Sequence, residues 1–270
     1  MLAAQRQSAI LDRVRRTGSV RVAELAAELA VSEMTIRRDL DVLDERGLLS
    51  KVHGGATTAG PGATHEPGFA AKSVRQRAEK AAIAARAASL VRPGTAVALS
   101  AGTTTAALAG LLRRVPDLTV VTNSIPVADA LRPDGSVDPA EPGDVLIDTT
   151  AQVVLTGGVR TRSDALVGPV AVTAIGGLHC DVLFLGVHGM SERAGFTTPN
   201  LMEAETNRAL VAAAGRLVVL ADHTKWDTVG ISTMAALRDA DVLITDSGLP
   251  DAARDTLAAE VGELIIVGTT

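Results

Sequence analysis

Two stretches of the sequence combine residue types that bind phosphate or nucleic acid. The first, SEMTIRR from Ser32 to Arg38, places two arginines and a threonine close together. Arginine makes paired hydrogen bonds to guanine or reaches phosphate, and threonine suits thymine or a phosphate oxygen. The second, SAGTTT from Ser100 to Thr105, leads from a glycine turn into three hydroxyls. These hydroxyls and the free N–H groups of a helix start can converge on a phosphate.

The elements around the first stretch predict a winged helix-turn-helix over residues 1–56. Apolar residues recur at helical spacing in three segments, and Leu48 to Gly55 indicates a β-hairpin wing. In the third helix Ser32 is a good N-cap and Arg46-Gly47 is the end. The face opposite its apolar stripe is where a recognition helix meets bases. The predicted DNA-binding residues are Ser32, Glu33, Thr35, Arg37 and Arg38 on this helix, with Lys51 and His53 on the wing.

A solvated, salt-bridged helix face is the alternative interpretation of Arg37-Arg38, because Asp39, Asp41 and Asp44 follow closely. The charge distribution does not oppose a DNA partner. Residues 1–56 hold nine Lys and Arg against eight Asp and Glu, a net charge of +1, whereas the rest of the chain holds 17 against 23, a net of −6. The order of helices and hairpin is also far more specific than a basic run.

Beyond residue 56 the pattern predicts a linker and a second domain. Residues 57–72 are rich in Gly, Pro, Thr and Ala without periodicity, which is typical of a linker over 57–72. From Ser73 to Val91 the spacing predicts a helix, and residues 132–150 read as an exposed insertion. Apolar strands then alternate with helical segments, which predicts a mostly parallel, doubly wound α/β domain over 73–270. The predicted strands are Ala96–Leu99, Leu118–Val121, Val153–Leu155, Val182–Leu185, Leu217–Leu220, Val242–Ile244 and Leu264–Val267.

Polar residues follow several of these strands, and ligands gather at the carboxyl ends of parallel strands. Gly102 with Thr103 to Thr105 predicts an anion site, although an ordinary threonine N-cap at a strand-to-helix turn is an equal alternative. Asn123, Arg160 and Lys225 occupy corresponding places after later strands. Their repeated location predicts one cleft.

The span from residue 6 to 56 strongly resembles the DeoR family of bacterial repressors, through its VS-x-x-TIRRDL core and terminal HGGA. The resemblance implies that the helix opening at Ser32 enters the major groove. Met34 stands where small residues are common in the family, a departure that bears on base preference.

The resemblance extends through AGTTT, VVTNS, LTGG, LFLGVHG and LADHTKW, which are similar to motifs of the DeoR-type sensor domain. That domain resembles ribose-5-phosphate isomerase, and its usual effectors are phosphorylated sugars or intermediates. Ser100 stands where many sensor domains carry Asp, which leaves the identity of the effector open. The residues implied for the effector are Ser100, Gly102, Thr103, Thr104, Thr105, Asn123, Arg160 and Lys225.

A regulator is therefore the expected class, and a sugar-phosphate isomerase with a DNA-binding arm is the alternative. An isomerase needs a base near the substrate carbon, but the loop GVHGM, residues 186–190, has no carboxylate before Glu192. Glu203 and Glu205 lie two positions apart and share no helix face. An activator or architectural protein with a vestigial pocket is a third reading.

The remaining expectations concern partners and surroundings. The single cysteine, Cys180, cannot form an internal disulfide or a thiolate zinc site, so we expect a reducing, cytoplasmic location with no metal and no cofactor. We expect no membrane partner, because charges interrupt each apolar run. The partners are double-stranded operator DNA and a phosphorylated small molecule. A homo-oligomer, a dimer or a tetramer, is expected because one small domain of charge +1 offers few phosphate contacts.

Overall fold

The computed structural model describes residues 3–17, 19–45, 48–52, 54–58, 64, 66, 68–132 and 151–268. The chain divides into two compact units, Met1–Gly62 and Ala63–Thr270. The linker predicted over 57–72 contains this division. Its last residues belong to a helix of the second unit, however, so the start of that unit lies earlier than the prediction at Ser73.

The first unit is a helix-turn-helix with a three-stranded wing. Its elements are α1 (Ala3–Thr17), β1 (Ser19–Arg21), α2 (Val22–Glu28), α3 (Glu33–Glu45), β2 (Leu49–Val52) and β3 (Gly55–Thr58). The strands are antiparallel in the order β1-β3-β2. The predicted stripe of α3 is buried, since Ile36, Leu40 and Leu43 are at most 1% exposed and pack with Ile10 and Leu25.

The strand β1 is absent from the sequence prediction, which placed three helices and a hairpin in this domain. Three residues with one buried side chain, Val20, are too few for alternation to be visible. Pairing across the sheet defines the strand, with Ser19 opposite Thr57 and Arg21 opposite Gly55. Its position therefore depends on tertiary structure.

The second unit is built on a seven-stranded parallel sheet with the order β15-β14-β12-β9-β4-β5-β6. The seven predicted strands are the strands of this sheet. The elements are α4 (Phe69–Ser73), α5 (Arg77–Ala88), β4 (Ala96–Leu99), α6 (Thr103–Leu112), β5 (Thr119–Thr122), α7 (Ile125–Ala130), β6 (Gln152–Leu155), β7 (Val159–Arg160), β8 (Leu166–Val167), α8 (Pro169–Ile175), β9 (Val182–Gly186), β10 (Gly189–Ser191), β11 (Gly195–Thr198), α9 (Leu201–Ala212), β12 (Leu217–Leu220), the 3-10 turn His223–Lys225, β13 (Ser232–Ala235), the 3-10 turn Leu237–Asp239, β14 (Val242–Asp246), α10 (Asp251–Glu260) and β15 (Leu264–Val267).

Helices cover both faces of the sheet, as predicted for a doubly wound domain. Alternate residues of the central strand β9 point to opposite sides, so Phe184 joins one core and Leu185 the other. The Phe184 core includes Ile83 of α5 and Leu108 of α6. The Leu185 core includes residues of α8, α9 and α10. The central strands are therefore buried on both faces, which accounts for their continuous apolar runs, whereas the edge strands β6 and β15 are partly exposed.

The predicted helix over 73–91 is shorter in the structure, where α4 ends at Ser73 and α5 begins only at Arg77, after a turn at Gln76 whose φ is +48°. Lys80 spans this turn. Its side chain is buried, and Nζ donates hydrogen bonds of 2.6 Å to the carbonyl oxygens of Lys72 and Arg75. The turn therefore supplies the acceptors that a buried ammonium needs.

The strand order creates a switch point between β4 and β9. From β4 the chain runs outward through β5 to β6, and from β9 it runs in the opposite direction through β12. Connections that leave adjacent strands in opposite directions open a crevice at the carboxyl ends of those strands. A small antiparallel sheet, β10-β11-β13, and the hairpin β7-β8 lie outside the main sheet and were not predicted. Among the described residues, no helix is both long and apolar enough to cross a membrane.

Candidate functional site

The predicted DNA-binding side chains of α3 lie on its surface. Ser32, Glu33, Arg37 and Arg38 are exposed and Thr35 is half-buried. Ser32 caps the helix, because its Oγ accepts a hydrogen bond of 3.2 Å from the Thr35 amide. Met34 is 60% exposed on the same first turn. The structure therefore brings these side chains together around the start of α3, as the sequence predicted.

The acidic residues of α3 serve different purposes. Asp39 is buried and holds Arg6 of α1 in an ion pair, while Gln7 donates a hydrogen bond of 3.1 Å to the same carboxylate. The Arg6 side chain, whose pKa is raised by its hydrogen bond to Asp39, fastens α1 to α3. Asp39 is thus part of the packing between helices and not of a solvated face.

Arg37 forms an ion pair in the free protein, since its Nη2 lies 2.9 Å from the Glu33 carboxylate in an exposed i,i+4 pair. Such a pair contributes only roughly 0.3–0.5 kcal/mol to stability, so phosphate or guanine can readily replace Glu33 as the partner of Arg37. Of the other two predicted residues, Lys51 belongs to strand β2 of the wing. The Lys51 side chain, His53 and the helix end at Arg46-Gly47 lie outside the described part of the structure.

A cleft of about 700 Å³, including its open mouth, lies at the switch point of the second unit. Gly102, Thr103 and Thr104, which follow β4, line the cleft together with Gly186, the last residue of β9, and with Val187 and His188, which come next. The first N–H groups of α6 have no partner within the helix, so they are available to an anion. Lys225, on the 3-10 turn after β12, also lines this cleft.

Four of the eight predicted effector residues line the cleft, namely Gly102, Thr103, Thr104 and Lys225, and four do not. Ser100 is buried and accepts a hydrogen bond of 2.9 Å from the Gly186 amide. Asn123 is buried and joins the Ala101 amide to the Leu166 carbonyl. Both side chains hold neighbouring strand ends in place instead of facing the cavity.

Thr105 and Arg160 are the other two predicted residues outside the cleft. The Thr105 hydroxyl donates to the Gly102 carbonyl at 2.9 Å and is fully buried. Arg160 is exposed and pairs with Asp164, with its Nη2 2.7 Å from the carboxylate. The sequence predicted that all polar groups at the strand ends line one cleft. Some of these side chains are instead used to form hydrogen bonds with the backbone groups of the loops that follow the strands.

Three lysines, Lys72, Lys80 and Lys225, lie on the cleft wall. Burial lowers the pKa of Lys72, and the nearby carboxylates Glu203 and Glu66 oppose this effect. Burial also lowers the pKa of Lys80, against the attraction of Asp222. The charges of the other lysines lower both values further, so an anion in the cleft relieves this repulsion.

An acidic cluster, Glu66 with Glu203 and Ser163, forms another part of the wall. The Ser163 hydroxyl lies 2.5 Å from Glu66 Oε1 and also hydrogen-bonds Glu203. Asn200 donates to Glu66 at 3.1 Å, and Thr161 and Thr198 each donate to Glu203 at 3.0 Å. These bonds join the residues preceding α4 to the hairpin β7-β8 and to α9.

The pKa values of the two carboxyls of the acidic cluster are shifted in opposite directions. Burial raises the pKa of Glu203, and the charge of Glu66 raises it further. Burial also acts to raise the pKa of Glu66, but hydrogen bonds from Ser163 and Asn200 outweigh it and lower the pKa below the usual value. A serine hydroxyl has one proton to donate, so a protonated Glu203 beside an ionised Glu66 satisfies the pair of bonds.

Several polar lining residues were not predicted from the sequence, among them Glu66, Lys72, Lys80, Ser163, Thr198, Glu203 and Asn207. Glu66 and Lys72 fell within the predicted linker. Glu203 was set aside because it shares no face with Glu205. The available signal was the spacing of Glu203 and Asn207, which are four residues apart and therefore share a helix face.

The fold and these two sites define a protein with a DNA-binding head and a separate unit that holds a small-molecule cleft. Residues 6–60 match the family model of the DeoR-like helix-turn-helix domain, and residues 75–247 match that of the DeoR C terminal sensor domain. The chain belongs to the DeoR family and is a DNA-binding transcriptional regulator.

Relatives of this family align with nearly the whole chain. An uncharacterized HTH-type transcriptional regulator, YgbI of Escherichia coli K12, is 36% identical over 98% of both chains. The putative aga operon transcriptional repressor of Escherichia coli O157:H7 is 32% identical over 98% of this chain and 94% of its own length. Transcriptional repressor AccR of Agrobacterium fabrum is 31% identical over 90% and 89%.

Among solved structures, ribose 5-phosphate isomerase A of Methanocaldococcus jannaschii matches at 16% identity with a TM-score of 0.37. The match covers 54% of this chain and 53% of that one. It carries no conclusion about chemistry.

Proposed function

We propose that this chain is a repressor that binds operator DNA through α3 and releases it when a phosphorylated sugar or related metabolite occupies the cleft. The observation that carries the proposal is the start of α6 in a cleft with three lysines. Anions bind at helix starts because free N–H groups and the helix dipole favour negative charge. Two relatives that are named repressors support the sign of the response.

Charge balance in the cleft also supports an anionic ligand. Among the described residues, three lysines face three acidic side chains, Glu66, Glu203 and Asp222. Their formal charges cancel, and the raised pKa of Glu203 shifts the balance of the wall toward positive charge. A phosphate ester therefore enters a cleft whose field attracts it.

The segment that begins the second unit supplies a route from ligand to DNA affinity. Glu66 and Lys72 lie within ten residues of Gly62, where the first unit ends, and both line the cleft. Glu66 is held by Ser163 and Asn200, and the Phe69 amide donates to the Arg162 carbonyl. A ligand that competes for Glu66 or Lys72 changes how the connecting segment is held. Coupling of this kind is commonly about 1–3 kcal/mol.

The test begins with selection of genomic DNA fragments by the purified protein, which identifies an operator. Operator affinity is then titrated with a panel of phosphorylated metabolites, using the wild type and Thr104→Glu. A carboxylate at position 104 occupies the anion site and repels phosphate, so the variant is expected to bind operator normally without a ligand response. Equal responses in the two proteins would place the ligand elsewhere.

A second candidate function is isomerase activity, and the acidic cluster favours it. Sequence reasoning found no carboxylate in the loop after β9, whereas the structure places Glu66 and Glu203 in the cleft. A buried carboxyl with a raised pKa, such as Glu203, suits acid or base catalysis. A direct assay of aldose-ketose conversion with purified protein decides between the two functions. An isomerase shows turnover in the wild type that Glu203→Gln removes, whereas a pure regulator shows no turnover in either protein.

A further inference from the structure

The acidic cluster joins two carboxyl groups through a single hydroxyl group. Ser163 Oγ lies 2.5 Å from Glu66 Oε1 and also forms a hydrogen bond with Glu203 Oε1. A serine hydroxyl has one proton, so it can donate to only one of the two carboxyls. The other contact is a hydrogen bond only if that carboxyl carries a proton of its own. The geometry of the cluster therefore requires one more proton than two ionised glutamates provide.

The other contacts of the cluster place this proton on Glu203. Besides the Ser163 hydroxyl, Glu66 accepts from the Ser163 amide at 3.2 Å and from Asn200 Nδ2 at 3.1 Å, which suits an ionised carboxylate. Burial raises the pKa of Glu203, which favours its protonated form. Glu203 then donates to Ser163, and Ser163 donates to Glu66.

The cluster ties three separate parts of the second unit together. Glu66 precedes α4 in the segment that begins this unit, Ser163 lies between β7 and β8, and Glu203 lies in the first turn of α9. Close to Ser163, the Phe69 amide donates to the Arg162 carbonyl at 3.3 Å. The Glu66 carboxylate is thus a side-chain contact that holds the segment before α4 against the rest of the unit.

We propose that the acidic cluster is a proton-dependent switch, which fastens the segment that begins the second unit when the shared proton is bound and loosens it when the proton is lost. Without the proton, two carboxylates compete for one hydroxyl donor and repel each other across Ser163. Glu203 is fixed in a helix, whereas Glu66 lies outside the helices and strands, so we expect Glu66 to move away. The switch does not depend on the proposed function, but its effect on operator affinity does.

The charges around the cluster determine the direction of the pH response. Glu66 and Lys72 act on Glu203 directly, and Asp164 and Lys225 act on Lys72. Other titratable side chains that line the same cleft are Lys80, His188 and Asp222. Burial outweighs the attraction of Lys72, so the pKa of Glu203 is raised in the folded protein. The proton is therefore bound at low pH and is lost as pH rises through that raised value.

Hydrogen exchange of the Phe69 amide measures how firmly the segment is held, because its acceptor, the Arg162 carbonyl, precedes Ser163 in the chain. The protection factor, corrected for the intrinsic exchange rate at each pH, is compared on the full-length protein between about pH 5 and about pH 8. We expect wild-type protection to fall by about 10- to 100-fold over this range, the effect of one hydrogen bond to a charged group.

Two variants remove the titration and one control keeps it. Glu203→Gln supplies an N–H group that does not titrate, so it is expected to retain the low-pH protection throughout. Glu66→Gln removes the second carboxyl and its repulsion, so it is expected to lose the pH dependence as well, and it serves if Glu203→Gln does not fold. Glu205→Gln is the matched control, because Glu205 is an exposed carboxyl of α9 that does not line the cleft. It is expected to respond to pH like the wild type.

The outcomes separate the switch from the proposed function. Wild-type protection that does not change with pH would overturn the switch. A pH response retained in both Glu203→Gln and Glu66→Gln would place the titrating group elsewhere and overturn it too. Operator affinity is then measured over the same pH range. Protection that depends on pH beside an operator affinity that does not would leave the switch standing, and would contradict the proposed route from this segment to DNA binding.

Discussion

Replacing Ile36 by alanine is expected to destabilise the DNA-binding head without destabilising the cleft-bearing unit. Ile36 is fully buried in a core that contains ten buried apolar residues, all from the first unit. The substitution removes three carbon atoms, about 2.4 kcal/mol of transfer free energy, to which the cavity adds a further cost. A loss of about 3 kcal/mol is therefore a central expectation.

That loss is large compared with the stability of so small a unit. At about 0.05–0.15 kcal/mol per residue, the first unit has roughly 3–9 kcal/mol in total. With a urea dependence of ~1.5 kcal/mol/M, the midpoint of its transition falls by about 2 M. Specific DNA binding then weakens by the fraction of heads that are unfolded.

Two optical signals follow the units separately in a urea titration. The single tryptophan, Trp226, lies in the second unit and packs against its core, so its fluorescence reports that unit alone. Far-ultraviolet circular dichroism reports the helices of both units. Ile36→Ala is expected to shift the part of the dichroism change that comes from the first unit to a lower urea concentration. The fluorescence midpoint is expected to stay unchanged.

The matched variant is Ile83→Ala, an equally buried isoleucine of α5 in the second unit. It is expected to lower the fluorescence midpoint. If Ile36→Ala lowers the fluorescence midpoint by the same amount as the dichroism midpoint, the two units unfold as one. The division of the chain into independent cores would then be wrong.

Three further predictions concern the two sites and the assembly. Replacing Arg37 or Arg38 by alanine should weaken the free energy of operator binding by about 1–3 kcal/mol and relax specificity at one base position, if the residue contacts a base. If the residue contacts a phosphate, binding to specific and random duplexes should weaken alike. Competition titrations distinguish the two results. Because folding raises the pKa of Glu203 above the ordinary value of 4.5, ionisation of this carboxyl at higher pH destabilises the folded wild type. Glu203→Gln should therefore melt at a higher temperature than the wild type at neutral pH. This difference should disappear near pH 4.5, where the carboxyl is protonated in the folded protein. Light scattering should find at least a dimer, and a monomer both free and on operator DNA would contradict the expected pairing of two reading heads.

Periodic elements could be predicted from the sequence because their signals are local. The apolar stripe of α3 repeats at helical spacing, and the central strands of the main sheet are continuous apolar runs because both of their faces are buried. The glycine turn and the threonines at the start of α6 are likewise consecutive in the sequence, so their pattern is visible without the fold. These local patterns determined helix α3, the α/β class and the glycine and threonine residues at one end of the cleft.

Tertiary structure decided which polar groups meet. Ser100 and Asn123 follow strands, as a ligand group does, yet they hold neighbouring loops together because buried backbone groups at strand ends need partners. Glu66 and Glu203 are 137 positions apart along the chain, and one serine hydroxyl bridges them. Strand order also lies beyond local patterns, since the switch point between β4 and β9 arises from pairings between distant segments. The sequence by itself therefore determined the main helices, the strands of the parallel sheet and one end of the cleft, and long-range pairing decided the remaining strands and the rest of the cleft wall.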